Sequence, residues 1–177
     1  MLPWHMPIYA LGDQVPSIHP SAYVHPDAVI IGSVTIGAQS SIWACAVLRG
    51  DDGAIVIGER TSIQDGTVVH TTPMSHTTVG NDCVVGHLAH LEGCIIKDFA
   101  QVSSGAIVLH RAVVGSGAIV AANSVVLNDT DVPAGALAVG APATIKEGRA
   151  RMADIELAVS AYVHKGQRFR EQLRLIE

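Results

Sequence analysis

From Ile18 onward a branched aliphatic residue returns at every sixth place. Ile18, Val24, Ile30, Ile36, Ile42 and Leu48 open successive six-residue units, and the fifth place is small, as at Ala22, Ala28, Ser40 and Ala46. The frame resumes at Ile57, Ile63 and Val69, again at Val79, Val85 and Leu91, and then runs from Ile96 to Val132. A period of six is not a helix period, and Val, Ile, Gly and Pro are poor helix formers. Short strands separated by corners fit it, with the first and fifth positions pointing inward. Three units make one triangular coil, and successive coils pair as parallel strands about 4.8 Å apart. The fold class expected is therefore all-β, a parallel β-helix. A sandwich would call for turn signals every 8 to 12 residues and for more aromatics than the 4% present.

The pattern changes near Ala143. Met152, Ile155, Val159, Tyr162, Phe169, Leu173 and Ile176 recur at spacings near three or four, which predicts an amphipathic helix, with a break expected near Gly166. Thr144–Glu147 reads as its capping box. The organisation expected is a β-helix over residues 1–143 and a C-terminal α-helix over 144–177, packed along it.

Composition narrows the partners. The formal net charge is −5, and seven of the eleven basic residues follow Ala143, so the body is acidic. That argues against nucleic acid and against an anionic membrane. No uninterrupted apolar run is long enough to span a bilayer. The opening MLPWHMPIYALGD lacks a basic segment before an apolar one, so no export leader is read there. Cys45, Cys83 and Cys94 form no CxxC pair and read as packing residues in a reducing compartment. A cytoplasmic location is the expectation.

Candidate chemistry comes from stacking the coils by count. Three extra residues follow the Leu48 unit, and a loop containing Thr71–Thr78 follows Val69. With these removed, the coils superpose as 36/42/48, 57/63/69 and 79/85/91. Arg49, His70 and Glu92 then form a ladder on one outer edge, with His70 and Glu92 one strand spacing apart. His87 stacks over Asp65 at a different corner. His70, His87 and Glu92 are candidate ligands of one metal ion, and a shared ion requires His87 from a neighbouring copy. A closed ring, most simply a homotrimer, follows. His90 faces outward two residues before Glu92 and is the alternative third ligand.

WACAVLRGD (Trp43–Asp51), IGERTSIQDGTVVH (Ile57–His70) and VGHLAHLEGC (Val85–Cys94) resemble the gamma-class carbonic anhydrases, and the likeness extends through the MPIY opening, the VGAPA stretch and the tail helix. This resemblance implies a left-handed β-helical trimer with Zn2+ or Fe2+ held between subunits by three histidines. His70 and His87 match two of them; Glu92 departs from the third. The implied activity is the interconversion of CO2 and bicarbonate by metal-bound hydroxide, weakened or abolished because a carboxylate ligand makes the bound water less acidic. The resemblance also implies that Arg49 and Asp51 bridge subunits, that Gln64 and Asp65 position water and substrate, and that Tyr162 is brought near the pocket. The acidic shuttle loop of that family is missing; His76 is the relay candidate in its place.

Two other functions fit the same repeats. One is coenzyme A-dependent acyl transfer, or thioester hydrolysis, for which His110 and His25 are candidate bases by residue type alone. The other is a trimeric binding protein without catalysis.

Overall fold

The structure, a computed structural model, describes residues 7–176. The first six residues, on which the leader-free reading and the start of the MPIY match rest, lie outside this range. Three sheet faces wind about one axis. On the first, the strands Val29–Ile36, Val47–Ile57, Val68–His70, His90–Glu92, Ile107–Val108 and Val125–Val126 stack in parallel, with Leu48, Val69, Leu91, Val108 and Val126 in one column. A second face aligns Ile36, Ile57, Val79, Ile96, Val114 and Val132. The third aligns Val24, Ile42, Ile63, Val85, Val102 and Val120. The counted frame and the register agree at every one of these positions.

The corners explain why six residues suffice for a strand and a turn. The backbone N–H of the fifth residue donates to the carbonyl of the second, as in Ala46 to Trp43, Thr67 to Gln64 and Ala89 to Gly86. The fourth residue is left-handed in unit after unit: Gln39, Cys45, Arg60, Gly66, Asp82, Leu88, Phe99 and Gly105 all have φ between 52° and 69°. This is a turn with positive φ at its third residue, which also explains Pro20 and Pro26 at the second residue of the turn. Gly86 has a further reason. A Cβ there would lie 2.6 Å from the Ser104 nitrogen in the next coil, so only glycine admits that close approach.

Inside the prism the column residues and the small fifth-position residues are sealed from solvent, from Ala28 through Ile63 and Leu91 to Ala138. Each fully buried Ile, Leu or Val contributes about 1.5–3 kcal/mol. A core of this kind has no width for rings. Cys83 and Cys94 lie in it, and burial pushes both thiols up to about 12, which suits packing residues rather than nucleophiles.

The tail differs from expectation in two places. Thr144–Lys146 is a strand, antiparallel to Leu137–Val139, so Thr144–Glu147 is no capping box. The last coil leaves an open strand edge, and its pairing outweighs a local cap. The helix runs unbroken over Met152–Gln172, with Arg151 as its N-cap residue and no side-chain cap. Gly166 does not interrupt it; that residue is buried against Ser41 and Tyr23 of the third face. Ile155 and Val159 pack on Val84, and Trp43, Tyr23, Tyr162 and Phe169 form an aromatic cluster under the helix, with ring centroids 5.1–6.0 Å apart. Among the described residues no helix is long and apolar enough to cross a membrane.

Candidate functional site

Two polar clusters stand on different corners. The first is the counted ladder. Arg49, His70 and Glu92 are register partners on three successive coils. His70 Nδ1 lies 3.0 Å from Glu92 Oε1, and His70 Nε2 lies 3.1 Å from Asp51 Oδ1. Arg49 pairs with the second oxygen of Asp51. His90, on the same strand face as Glu92 because strand side chains alternate, brings Nε2 to 3.2 Å from Glu92 Oε2. His110 Nε2 follows at 3.9 Å. Partial burial pushes the Glu92 carboxyl up, but hydrogen bonds from His70 and His90 and the nearby His110 outweigh it and hold the group below its ordinary range. Asp51 is likewise lowered: desolvation opposes, while a backbone hydrogen bond, Arg49 and His70 prevail.

This cluster is a clamp. Both ring nitrogens of His70 lie within hydrogen-bond distance of a carboxylate, Glu92 on one side and Asp51 on the other.

The second cluster is at the corner of the third face. His87 Nδ1 lies 2.9 Å from Asp65 Oδ2, with both side chains 48% exposed. The pair is set by the repeat, since each is the third residue of its unit and Leu88 N–H donates to the Asp65 carbonyl at 2.9 Å. Nδ1 is the ring nitrogen that faces the carboxylate. Gln64, buried, lies on the strand side of the same corner. Tyr162 reaches it from the helix, where burial and then the Asp65 charge raise its hydroxyl. Tyr23 is more deeply placed, and burial, then Asp65 and Asp27, push it up to about 12.

The residues expected to hold Zn2+ or Fe2+ therefore divide. His70, Glu92 and His90 share an edge, and His87 is on another corner. Among the described residues no three His, Cys, Asp or Glu side chains are placed to hold an ion. Within one chain these donors do not converge, which agrees with the expectation that a shared ion would need His87 from a neighbouring copy. His76 is tied down, accepting from the Ala54 N–H at 2.8 Å. His25 Nδ1 accepts from the Asp27 N–H at 3.1 Å. Two contributors were not foreseen. His110 reaches Glu92 although the repeat places it one position further along its unit. Trp43 anchors the corner by donating from Nε1 to Ser41 and Ser62, 3.0 Å each; its signal was an indole in a repeat poor in aromatics.

Comparison with known proteins places this geometry in a family. The bacterial transferase hexapeptide family (six repeats) matches residues 16–50. The carnitine operon protein CaiE of Escherichia coli O157:H7 is 39% identical over 104 residues, 59% of this chain and 53% of that protein. The chain thus spans about half the length of the curated relatives it matches. Two solved structures match nearly end to end. A Bacillus cereus protein assigned as an acetyltransferase is 34% identical, covers 93% of this chain and 96% of its own, and superposes with a TM-score of 0.90. A hexapeptide transferase family protein from Anaplasma phagocytophilum is 34% identical, with 92% and 97% covered and a TM-score of 0.87. The chain belongs to the hexapeptide-repeat transferase family of left-handed β-helices.

That finding corrects the carbonic anhydrase reading. The two structures that match along the whole chain are described as an acetyltransferase and a hexapeptide transferase family protein, and the interconversion of CO2 and bicarbonate is set aside.

Proposed function

We propose that this protein is an acyltransferase that takes its acyl group from a coenzyme A thioester. The observation that carries the reading is the Asp65–His87 pair, an exposed imidazole whose Nδ1 lies 2.9 Å from a carboxylate oxygen. His70 lies between two carboxylates, whereas His87 faces one. In the reaction, His87 Nε2 removes the proton from an acceptor hydroxyl or amine as that atom attacks the thioester carbonyl carbon. The tetrahedral intermediate collapses with cleavage of the C–S bond, and the proton on Nε2 passes to the departing thiolate. Asp65 holds the tautomer and stabilises the charged ring. Gln64 and Tyr162 are positioning residues beside this pair. The likeness to the Bacillus cereus and Anaplasma phagocytophilum proteins supports the reaction class.

The functional unit is a homotrimer in this reading. Outward from the first face run Val47, Val68, His90, Ile107 and Val125 in one column beside the Arg49–Asp51–His70–Glu92 clamp. A stripe of this kind suits burial against a second copy, with Arg49 and Asp51 at its margin.

The test is thiol release from acetyl-coenzyme A with a panel of hydroxyl and amine acceptors, on wild type and His87→Asn. A fall in kcat of about 100-fold or more is expected for the variant. Equal turnover by the two proteins would remove His87 from the role, and no turnover with any acceptor would remove the reaction.

A further inference from the structure

The third face has two corners, and the one away from Asp65 and His87 carries a polar column of its own. There the fourth residues of successive units stack as Arg60, Asp82, Phe99, Gly117 and Gly135. Each N–H donates to the coil before it, as in Asp82 to Glu59, Phe99 to Asn81 and Gly117 to Asp98. The first half of the helix runs alongside, and Val159 packs on Val84 of the same face. Between corner and helix lies a recess of about 300 Å3, with Arg60, Asp82 and Phe99 on the prism side. Glu156, Ser160 and Val163 are on the helix side. A volume of this size holds a small ligand.

The charges in the recess do not balance. Arg60 donates from Nε, at 2.8 Å, and from Nη2 to the same Asp82 oxygen, Oδ1. These two charges cancel, and the guanidinium leaves the second carboxylate oxygen unused. Asp82 is nevertheless buried. Glu156 is in no ion pair among the described residues. His164, which also borders the recess, has Nδ1 2.7 Å from the Ser160 carbonyl. With that ring neutral, the walls carry one net negative charge.

The rest of the recess is apolar. Val159 is buried, while the Phe99 ring is exposed. Phe99 has φ 58°, a backbone conformation that bulky side chains rarely adopt. The next two residues of its column are glycines, so the corner itself does not call for a ring. An aromatic face attracts a cation.

We propose that this recess binds a small organic cation, a primary ammonium on an aryl or short alkyl body. The ammonium donates to Glu156 and to the second oxygen of Asp82, and the body lies against Phe99, Val159 and Val163. Acyl transfer uses the opposite corner, so the two readings stand or fall separately.

Benzylamine is the probe, with benzyl alcohol and phenylacetate as controls of similar shape and different charge. The full chain, labelled at valine methyls, is titrated by NMR. Benzylamine should shift the Val159 and Val163 methyls with a dissociation constant of about 1 mM or tighter. Benzyl alcohol should bind about tenfold more weakly, and phenylacetate more weakly still, because the charge-assisted hydrogen bonds are lost. Glu156→Gln, at an exposed position, should weaken benzylamine about tenfold with the melting temperature unchanged. Ser160→Phe, also at an exposed position, fills the recess without altering its charge and should abolish the shifts. Equal affinity for benzylamine and benzyl alcohol, or for wild type and Glu156→Gln, overturns the proposal. So does binding kept by Ser160→Phe, or Val159 and Val163 methyls that stay unmoved up to about 20 mM benzylamine.

Discussion

Asp65 and His87 stand one coil apart on the same corner, 2.9 Å between carboxylate and imidazole, although 22 residues separate them in the chain. The repeat alone produces this: each is the third residue of a unit on the same face, and parallel stacking puts such residues directly above one another.

If the carboxylate orients the ring, Asp65→Asn should lower kcat for acyl transfer by between about 10- and 100-fold, because the amide permits the wrong tautomer. KM should change little. Steady-state kinetics on a variant with an unchanged melting temperature checks this, and an intact kcat would show the contact to be incidental.

Chelation separates two uses of His87. As a base, it needs no ion, so kcat should be unchanged after dialysis against EDTA. Activity lost in proportion to the zinc or iron removed would instead make His87 a ligand, completed by His70 and Glu92 of a neighbouring copy. Elemental analysis alongside the assay distinguishes the two.

The clamp around His70 has a pH signature. The carboxyls of Glu92 and Asp51 are both lowered in the folded state, so they stabilise it fully above the ordinary carboxylate range, near pH 4. That contribution is lost as pH falls through the lowered values. The melting temperature should hold from pH 7 to about 5 and fall steeply below 4. A shallower acid limb in Glu92→Gln/Asp51→Asn is expected; the same limb in both proteins would argue that the clamp adds nothing to stability.

Gly86→Ala should destabilise by about 1–3 kcal/mol, since the added carbon meets backbone of the next coil rather than a side chain able to turn away. The midpoint of urea unfolding measures it. Gly86 is not among the left-handed glycines, so the loss reads the close approach alone.

Much of the fold was readable because the six-residue frame is strict. An inward residue can slip neither by one place, which would turn it outward, nor by a whole unit without leaving its face. The positions of Arg49, His70 and Glu92 on one edge, and of His87 over Asp65, followed from that frame. Thr144–Lys146 was misread because a capping pattern is local, whereas the edge it pairs with belongs to the last coil. His110 was missed as a neighbour of Glu92 because a long side chain can cross the offset between adjacent positions, which counting ignores. The carbonic anhydrase reading rested on the LRGD and IQDG stretches and His70, and similarity along the whole chain points instead to the hexapeptide transferase family.

The order of aliphatic and small residues was enough to determine a stacked triangular prism and the level of each polar residue within it. That pattern is set by one-dimensional spacing, and spacing is what parallel pairing preserves. Which nitrogens of His70 and His87 are engaged was decided only in three dimensions, because it depends on side-chain reach across coils. So was the recess at Arg60 and Glu156, which exists because the helix lies along the corner that carries Asp82.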